Sequence, residues 1–584
     1  MEKHDSSLPL PPPTTTRPSS RRQSKYLVPL LVILAILPNL STIYSGINAS
    51  AYLIKSSLTR PAPGFDTSLY DARYFDEYVE CPAQPSAIYP KLAWNMTASE
   101  KRASIDKFSQ AVQIPTESFD DNGEPKEDPR WAPFVDFQKW LQATFPLANE
   151  KAKVEYINTL GILATFEGSD QSLKPLLLMS HYDVVPAPAS TFDRWTHPPF
   201  SGYNDGVYIW GRGASDDKTL IVAQWEAITH LLESGFQPRR TVILSHGFDE
   251  EEVFARRGQG KIAPFLEERY GKDGLLMVID EGSGTTDDFY GAPFAIPAMG
   301  EKGYMDIKIS VGTAGGHSSV PPEHSGIGIM SQIVTGLEDN PLPIKLTPAS
   351  PLLTALKCAS KYSPDFPKKY SALLKSPLTY SALAGLIASR SRMDRATLST
   401  TTAVDVVGGG VKVNALPELV TSLVNFRIDF DESVKSTQDH VAGILEAVAK
   451  KNGLNFEAFT GSDEVDQLDG KYVKVELLGL PLEPAPRTPT SGGVWDLFAG
   501  TVKAVIPGPD GTERIVTPYV STGNTDCKMY YNLTKHVYRF MGSPSESGSN
   551  AHTVDEKAKI ENHYTIVQWI HAIVQNADAY QGEE

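Results

Sequence analysis

Cysteine is almost absent from this chain: its 584 residues include only Cys81, Cys358 and Cys527. No CxxC pair occurs, which excludes a cysteine-rich zinc site. Three thiols close one disulfide at most, so the fold does not rest on a disulfide framework. Positive charge is also scarce. The 54 Lys and Arg against 70 Asp and Glu leave a net charge of -16. No basic stripe stands out, and no nucleic-acid partner is expected. Internal repeats are missing, and so are long apolar runs, with one exception at residues 26–44. The length suits two domains plus a tail rather than one core.

That exception follows residues 1–25, a Pro-, Ser- and Thr-rich stretch with a basic cluster at Arg17, Arg21, Arg22 and Lys25. Such a composition builds no core and predicts a disordered cytosolic tail. As a helix, the uncharged stretch 26–44 has ~19 residues at ~1.5 Å each and nearly crosses a ~30 Å hydrocarbon layer. The basic cluster ahead of it predicts a retained transmembrane anchor with the body on the lumenal side. A cleaved signal peptide is the alternative. Asn48, Asn95 and Asn532 open glycosylation sequons on that lumenal side.

Residues 45–100, with Pro61, Pro63, Pro82 and Pro85, read as an irregular stalk. Three short apolar runs follow, at 176–180, 242–245 and 275–279. Runs of this kind suit strands buried on both faces of a mainly parallel sheet. Between the first two, 216–234 reads as an amphipathic helix closed by Gly235. The expected fold class is α/β. After Gly300 the pattern changes to alternating apolar and polar residues, as in 304–310. The sequence therefore predicts a first α/β domain at 101–302, an inserted smaller α+β domain at 303–480, and a return to the first domain at 481–584. The last helix is expected to open on a capping box, Thr553-x-x-Glu556.

Each of the three runs ends in potential metal ligands. The first meets His181-Tyr-Asp183, the second Asp249-Glu-Glu-Glu252, and the third Asp280-Glu281. Open parallel sheets bind ligands at the carboxyl ends of their strands. Imidazole with several carboxylates there suits zinc or a similar divalent ion. Asp216-Asp217 before the helix and His552 near the C-terminus extend the set. Each motif alone has a plain structural explanation, such as a helix cap or a solvated face; their joint placement at strand ends is what points to metal.

Seven segments then occur in order: Ser180-His-Tyr-Asp-Val-Val-Pro186, Trp195-Thr-His-Pro-Pro-Phe200, Gly211-Arg-Gly-Ala-Ser-Asp-Asp-Lys218, Phe248-Asp-Glu-Glu251, Asp280-Glu-Gly282, Gly315-Gly-His-Ser-Ser319 and His552. Together they resemble the co-catalytic dizinc exopeptidases, which include carboxypeptidase S, glutamate carboxypeptidase, carnosine dipeptidases and aminoacylases. The Trp-Thr-x-Pro-Pro-Phe segment, Gly523-Asn-Thr-Asp526 and the N-terminal anchor point to the carboxypeptidase S branch.

The resemblance implies two zinc ions per chain, one held by His181, Asp216 and Asp280, the other by Asp216, Glu251 and His552. It implies a cis Asp216–Asp217 peptide and an orienting role for Asp183 beside His181. Glu250 would be the general base for a zinc-activated hydroxide, with His317 a donor to the oxyanion. Asn414 and Arg427 would read a free substrate carboxylate. One extra acidic residue leaves Glu251/Glu252 as the alternative base and ligand pair, and Lys528 stands where an arginine is usual.

The function implied is a carboxypeptidase acting on small peptides in a vacuole. Hydrolysis of N-acyl amino acids is the alternative, because both substrates place an amide beside a carboxylate. A catalytically inactive peptide receptor is the third reading. In dimeric relatives the inserted domain acts as a lid and carries the dimer contact, so a homodimer is one assembly the resemblance allows.

Overall fold

The computed structural model describes residues 80–252, 256–348, 350–460, 471–544 and 549–582. All of these belong to the compact unit Tyr70–Glu584. The expected anchor at 26–44 and Asn48 lie outside the described residues. Among the described residues no helix is long and apolar enough to cross a membrane.

The three apolar runs are adjacent strands. Val242–Gly247 pairs with Leu176–His181, which pairs with Met277–Thr286, and both pairings are parallel. Their side chains alternate between two cores. Leu176, Leu178, Val242, Leu244, Met277 and Ile279 face one. Leu177, Met179, Ile243 and Val278 face the other. A strand buried on both faces needs apolar residues at every position, which is why these runs are continuous. Together with seven further strands they form a 10-stranded mixed sheet, parallel through its centre.

The expected helix at 216–234 begins later, at Thr219, and runs to Glu233. It is buried nearly all round rather than on one stripe, because the last helix, Ile560–Ala579, packs against it. That last helix does not open on a capping box. Its N-cap is Lys559, with no side-chain bond. Residues 557–559 instead pair as a strand with Tyr208–Trp210. Glu556 is buried elsewhere, as described below.

A second, five-stranded sheet is built from Gly303–Gly312, Thr401–Gly409, Leu419–Ile428, Asn455–Ala458 and Tyr472–Leu477. Met305, Ile309, Val420, Phe426 and Ile428 pack against the helices Gly326–Asp339 and Val434–Lys451 on one face. Tyr304, Asp306, Asn425 and Arg427 stand on the other. Between Pro351 and Ala396 the chain forms four α-helices and a short 3-10 turn at Pro377–Thr379. These have a core of their own, which includes Val520 near the edge of the first sheet.

Residues 80–97, expected within a free stalk, lie against the body. Ile88 donates to the Gly500 carbonyl (2.8 Å), and the Leu92 amide donates to Gln575 (2.8 Å). Cys81 forms a disulfide with Cys358, 277 residues away.

Candidate metal centre

The strand ends bring together most of the predicted ligands. His181 ends its strand opposite Gly247. Its Nε2 lies 3.0 Å from Asp216 Oδ1 and 3.4 Å from Glu281 Oε1. On the other side of the same carboxylate, His552 Nε2 lies 3.1 Å from Asp216 Oδ2 and 3.0 Å from Glu251 Oε2. Asp216 thus serves two imidazoles, one through each oxygen. The Asp216–Asp217 peptide is cis.

Asp280, expected as a ligand, turns away. It is buried and accepts a hydrogen bond from the Cys527 thiol (3.2 Å). Glu281 takes its place beside His181. The reason is a break in register: Arg539 pairs with Asp280, and the next residue, Phe540, pairs with Ser283. The strand bulges at Glu281–Gly282, and a bulge re-aims side chains. Gly282 has φ +128°, and a Cβ there would meet Arg539 Cβ at 2.9 Å. Asp217 also lies within this cluster with His181 and Glu281. Both were among the acidic candidates at the strand ends, but the ligand set implied by the resemblance left them out.

The supports are extensive. Asp183 is fully buried. It accepts from Ser118 Oγ (2.8 Å) and from the backbone N–H groups of Glu250 (3.2 Å) and Glu251 (3.0 Å). His181 Nδ1 lies 3.1 Å from the Asp183 carbonyl and 3.3 Å from its carboxylate. Asp183 therefore fixes the ring of His181 and the turn of Glu250 and Glu251 together.

Glu556 is a second organiser that sequence reasoning missed, because its Thr-x-x-Glu spacing imitates a cap. It pairs with buried Arg212 and accepts from the amides of Ser215 (3.0 Å) and Asp216 (3.2 Å). One residue earlier in that loop, Asp555 accepts from the Thr196 amide (2.6 Å) and hydroxyl (2.8 Å). The Trp195–Phe200 and Gly211–Lys218 segments are thus the two anchors of the loop that carries His552. Glu252 is buried against Arg257 and does not reach the histidines. Of the two base and ligand pairings left open, the geometry places Glu251, not Glu252, beside His552.

The charge balance of this cluster suits cations. Burial opposes a charge on His181, yet Glu281, Asp183 and Asp216 outweigh it and raise its pKa well above the ordinary range. Hydrogen bonds to Asp216 and Glu251 push His552 up to about 10. Burial pushes Glu281 up to about 8 and Glu250 well above the carboxylate range. The buried Oε1 of Glu251 and both carboxylate oxygens of Asp217 have no hydrogen-bond partner. Imidazole and carboxylate donors around one shared carboxylate, with acceptors left over, fit two divalent ions.

A cleft of about 660 Å³ opens between this cluster and the free face of the second sheet. Glu250, His552, Lys528, Tyr304, Asn524 and Arg427 line it. Arg427 Nη1 donates to Asn524 Oδ1 (2.9 Å), and its guanidinium lies 5.9 Å from the Tyr304 ring centroid. His317 and Asn414, expected beside Arg427, do not line this cleft. His317 sits on a separate two-stranded ribbon, Gly316–His317 with Ala415–Leu416, and Asn414 directly precedes its second strand; both side chains are exposed. His317 Nδ1 bonds Ser319 Oγ (2.7 Å). Of the sequons, Asn95 is exposed, whereas Asn532 is half-buried with its amide on Glu267 (3.4 Å).

Residues 177–576 match the family model of peptidase family M20/M25/M40. The chain is 38% identical to carboxypeptidase S of Saccharomyces cerevisiae, covering 82% of this chain and 85% of that protein. It is 31% identical to the human N-fatty-acyl-amino acid synthase/hydrolase PM20D1, covering 82% and 89%. The fold is shared with the M20 family metallo-carboxypeptidase Sso-CP2 of Sulfolobus solfataricus, at TM-score 0.54 and 20% identity, covering 82% of this chain and 99% of that one. The protein therefore belongs to peptidase family M20/M25/M40 and is a metallo-exopeptidase of the carboxypeptidase S type.

Proposed function

We propose that the chain is a dizinc carboxypeptidase that hydrolyses the C-terminal peptide bond of small peptides. The observation that carries this reading is the juxtaposition of Glu250, at the shared Asp216 cluster, with Arg427 and Lys528 across one cleft. His181, Asp216 and Glu281 would hold one ion, and Asp216, Glu251 and His552 the other. When bound, the two ions supply Lewis acidity at the scissile carbonyl and make a neighbouring water acidic. Glu250 has a carboxyl whose pKa burial raises, so it can take the proton of that water and hand it to the leaving amine. Arg427, steadied by Asn524, presents its fork to the free carboxylate of the substrate. Lys528 adds a second cation to the same wall.

Hydrolysis of N-acyl amino acids is the second reading, favoured by the likeness to PM20D1. A panel of N-blocked dipeptides, their amidated forms and N-acyl amino acids separates the two. Cleavage confined to free-carboxylate dipeptides and lost in Glu250→Gln supports the carboxypeptidase. Preferential cleavage of acyl amino acids moves the assignment to the second reading. Binding without cleavage of anything would revive the inactive receptor.

The same proposal places residues 26–44 in a membrane and the body in a vacuolar lumen, with Asn95 the accessible sequon among the described residues. It also pairs two copies through the second sheet. Val411 and Val413, beside the ribbon of His317, are each 98% exposed, and Val406 and Val407 lie on the free edge strand. A partner covering this face would carry His317 and Asn414 toward a cleft. Mixing Glu250→Gln with His317→Ala chains tests it, since only a shared site regains activity.

A further inference from the structure

The helical segment at 357–396 stands apart from the rest of this acidic chain. It carries eight basic and two acidic residues, although the whole chain has a net charge of -16. Lys357 pairs with Glu80 (2.8 Å), and Arg390 lies 3.6 Å from Asp394. The other six, Lys361, Lys368, Lys369, Lys375, Arg392 and Arg395, are exposed and have no carboxylate partner among the described residues.

Apolar side chains project from the same helices. Leu378 is 92% exposed, Met393 67% and Leu386 37%. The helix Tyr380–Ala388 packs on both Lys368–Leu373 and Arg392–Ala396. Their inward residues, among them Leu374, Tyr380, Leu383 and Ile387, are committed to a core. The cations and the protruding Leu and Met are therefore all exposed residues of one small helical layer.

Unpaired cations around protruding aliphatic side chains suit one kind of partner. A nucleic acid would use the charge and leave Leu378 in water. An anionic bilayer uses both, since lysine and arginine reach its headgroups while aliphatic tips enter the acyl boundary. The position of the layer agrees. The first described residues, Glu80 and Cys81, are held to its helix Pro351–Tyr362 by an ion pair and a disulfide. The N-terminal end of the described chain is thus tied to this layer.

We propose that this helical layer is a docking surface for an anionic phospholipid membrane, seated by Lys368, Lys369, Arg392 and Arg395 around Leu378 and Met393. It stands apart from the peptidase reading, since none of these residues lines the cleft.

The test uses the full chain with Leu378→Cys carrying an environment-sensitive fluorophore. Cys527 is buried and the other two cysteines are bonded, so the label has one site. The expected result is a blue shift with vesicles containing phosphatidylserine and none with pure phosphatidylcholine. The shift should be lost in high salt and in Lys368→Gln/Lys369→Gln/Arg392→Gln/Arg395→Gln, with peptide hydrolysis retained as proof of folding. Equal shifts on both vesicles, or none on the anionic ones, would overturn the proposal. A response to soluble polyphosphate with none to anionic vesicles would also overturn it, assigning the face to a soluble polyanion. Flotation with pure phosphatidylcholine reports the 26–44 span separately.

Discussion

Replacing Asp183 by asparagine should weaken metal binding without removing a ligand. The side chain keeps its size and one acceptor oxygen but gains an NH₂. If that group faces His181 and Glu250, it opposes two N–H donors. If it takes the other oxygen's place, the Ser118 hydroxyl can rotate to accept, but the Glu251 amide loses its acceptor. The second arrangement is the cheaper one. It leaves one buried N–H unpaired, at about 1–3 kcal/mol. His181 keeps its bond to the Asp183 carbonyl, so the damage falls on the Glu250–Glu251 turn. Loss of such a support costs about 10- to 100-fold in metal affinity. Chelator competition on the purified protein measures it, with denaturant unfolding beside it to record the stability change. An affinity change below about threefold, outside that range, would refute the role assigned to Asp183.

Two further outcomes follow from buried groups away from the cleft wall. Glu556→Ala strands buried Arg212 and should cost about 3–5 kcal/mol in denaturant unfolding, with part recovered in Arg212→Met/Glu556→Leu; a loss under about 1 kcal/mol would show that the pair does not hold the His552 loop. His246 accepts from Trp225 Nε1 (2.9 Å), and burial lowers the pKa of both His246 and His563 to about 3. The unfolded chain takes up these protons near pH 6.5, so stability is full above that value and falls as pH drops from about 6.5 toward 3, by up to about 1.4 kcal/mol per unit for each ring. Melting curves across that window should show the slope, and His246→Gln should reduce it; an unchanged slope would remove His246 from the account.

Much of the centre was legible because buried parallel strands must be apolar throughout. The three runs ending in His181, Asp249–Glu252 and Asp280–Glu281 marked the strand ends directly. Glu281 was hidden by a bulge, which no spacing records: an unbroken strand offered no reason to prefer either member of the acid pair. Glu556 was hidden by a local pattern that fits two environments, and only the tertiary position of Arg212 decides between them. Arg427 was legible only through the family resemblance. The exposure of His317 and Asn414 was not, because it depends on how a two-residue ribbon leaves the sheet. The helical layer's separate core was equally invisible, since its partners, such as Val520, come from more than 120 residues away in sequence.

Metal analysis of the desalted, zinc-loaded protein tests most directly whether Asp216 would help hold both of two divalent ions. Two equivalents per chain in the native protein, falling to near none in Asp216→Ala with the fold retained, is the predicted result. A single equivalent in the native protein, or two equivalents surviving the substitution, would contradict it.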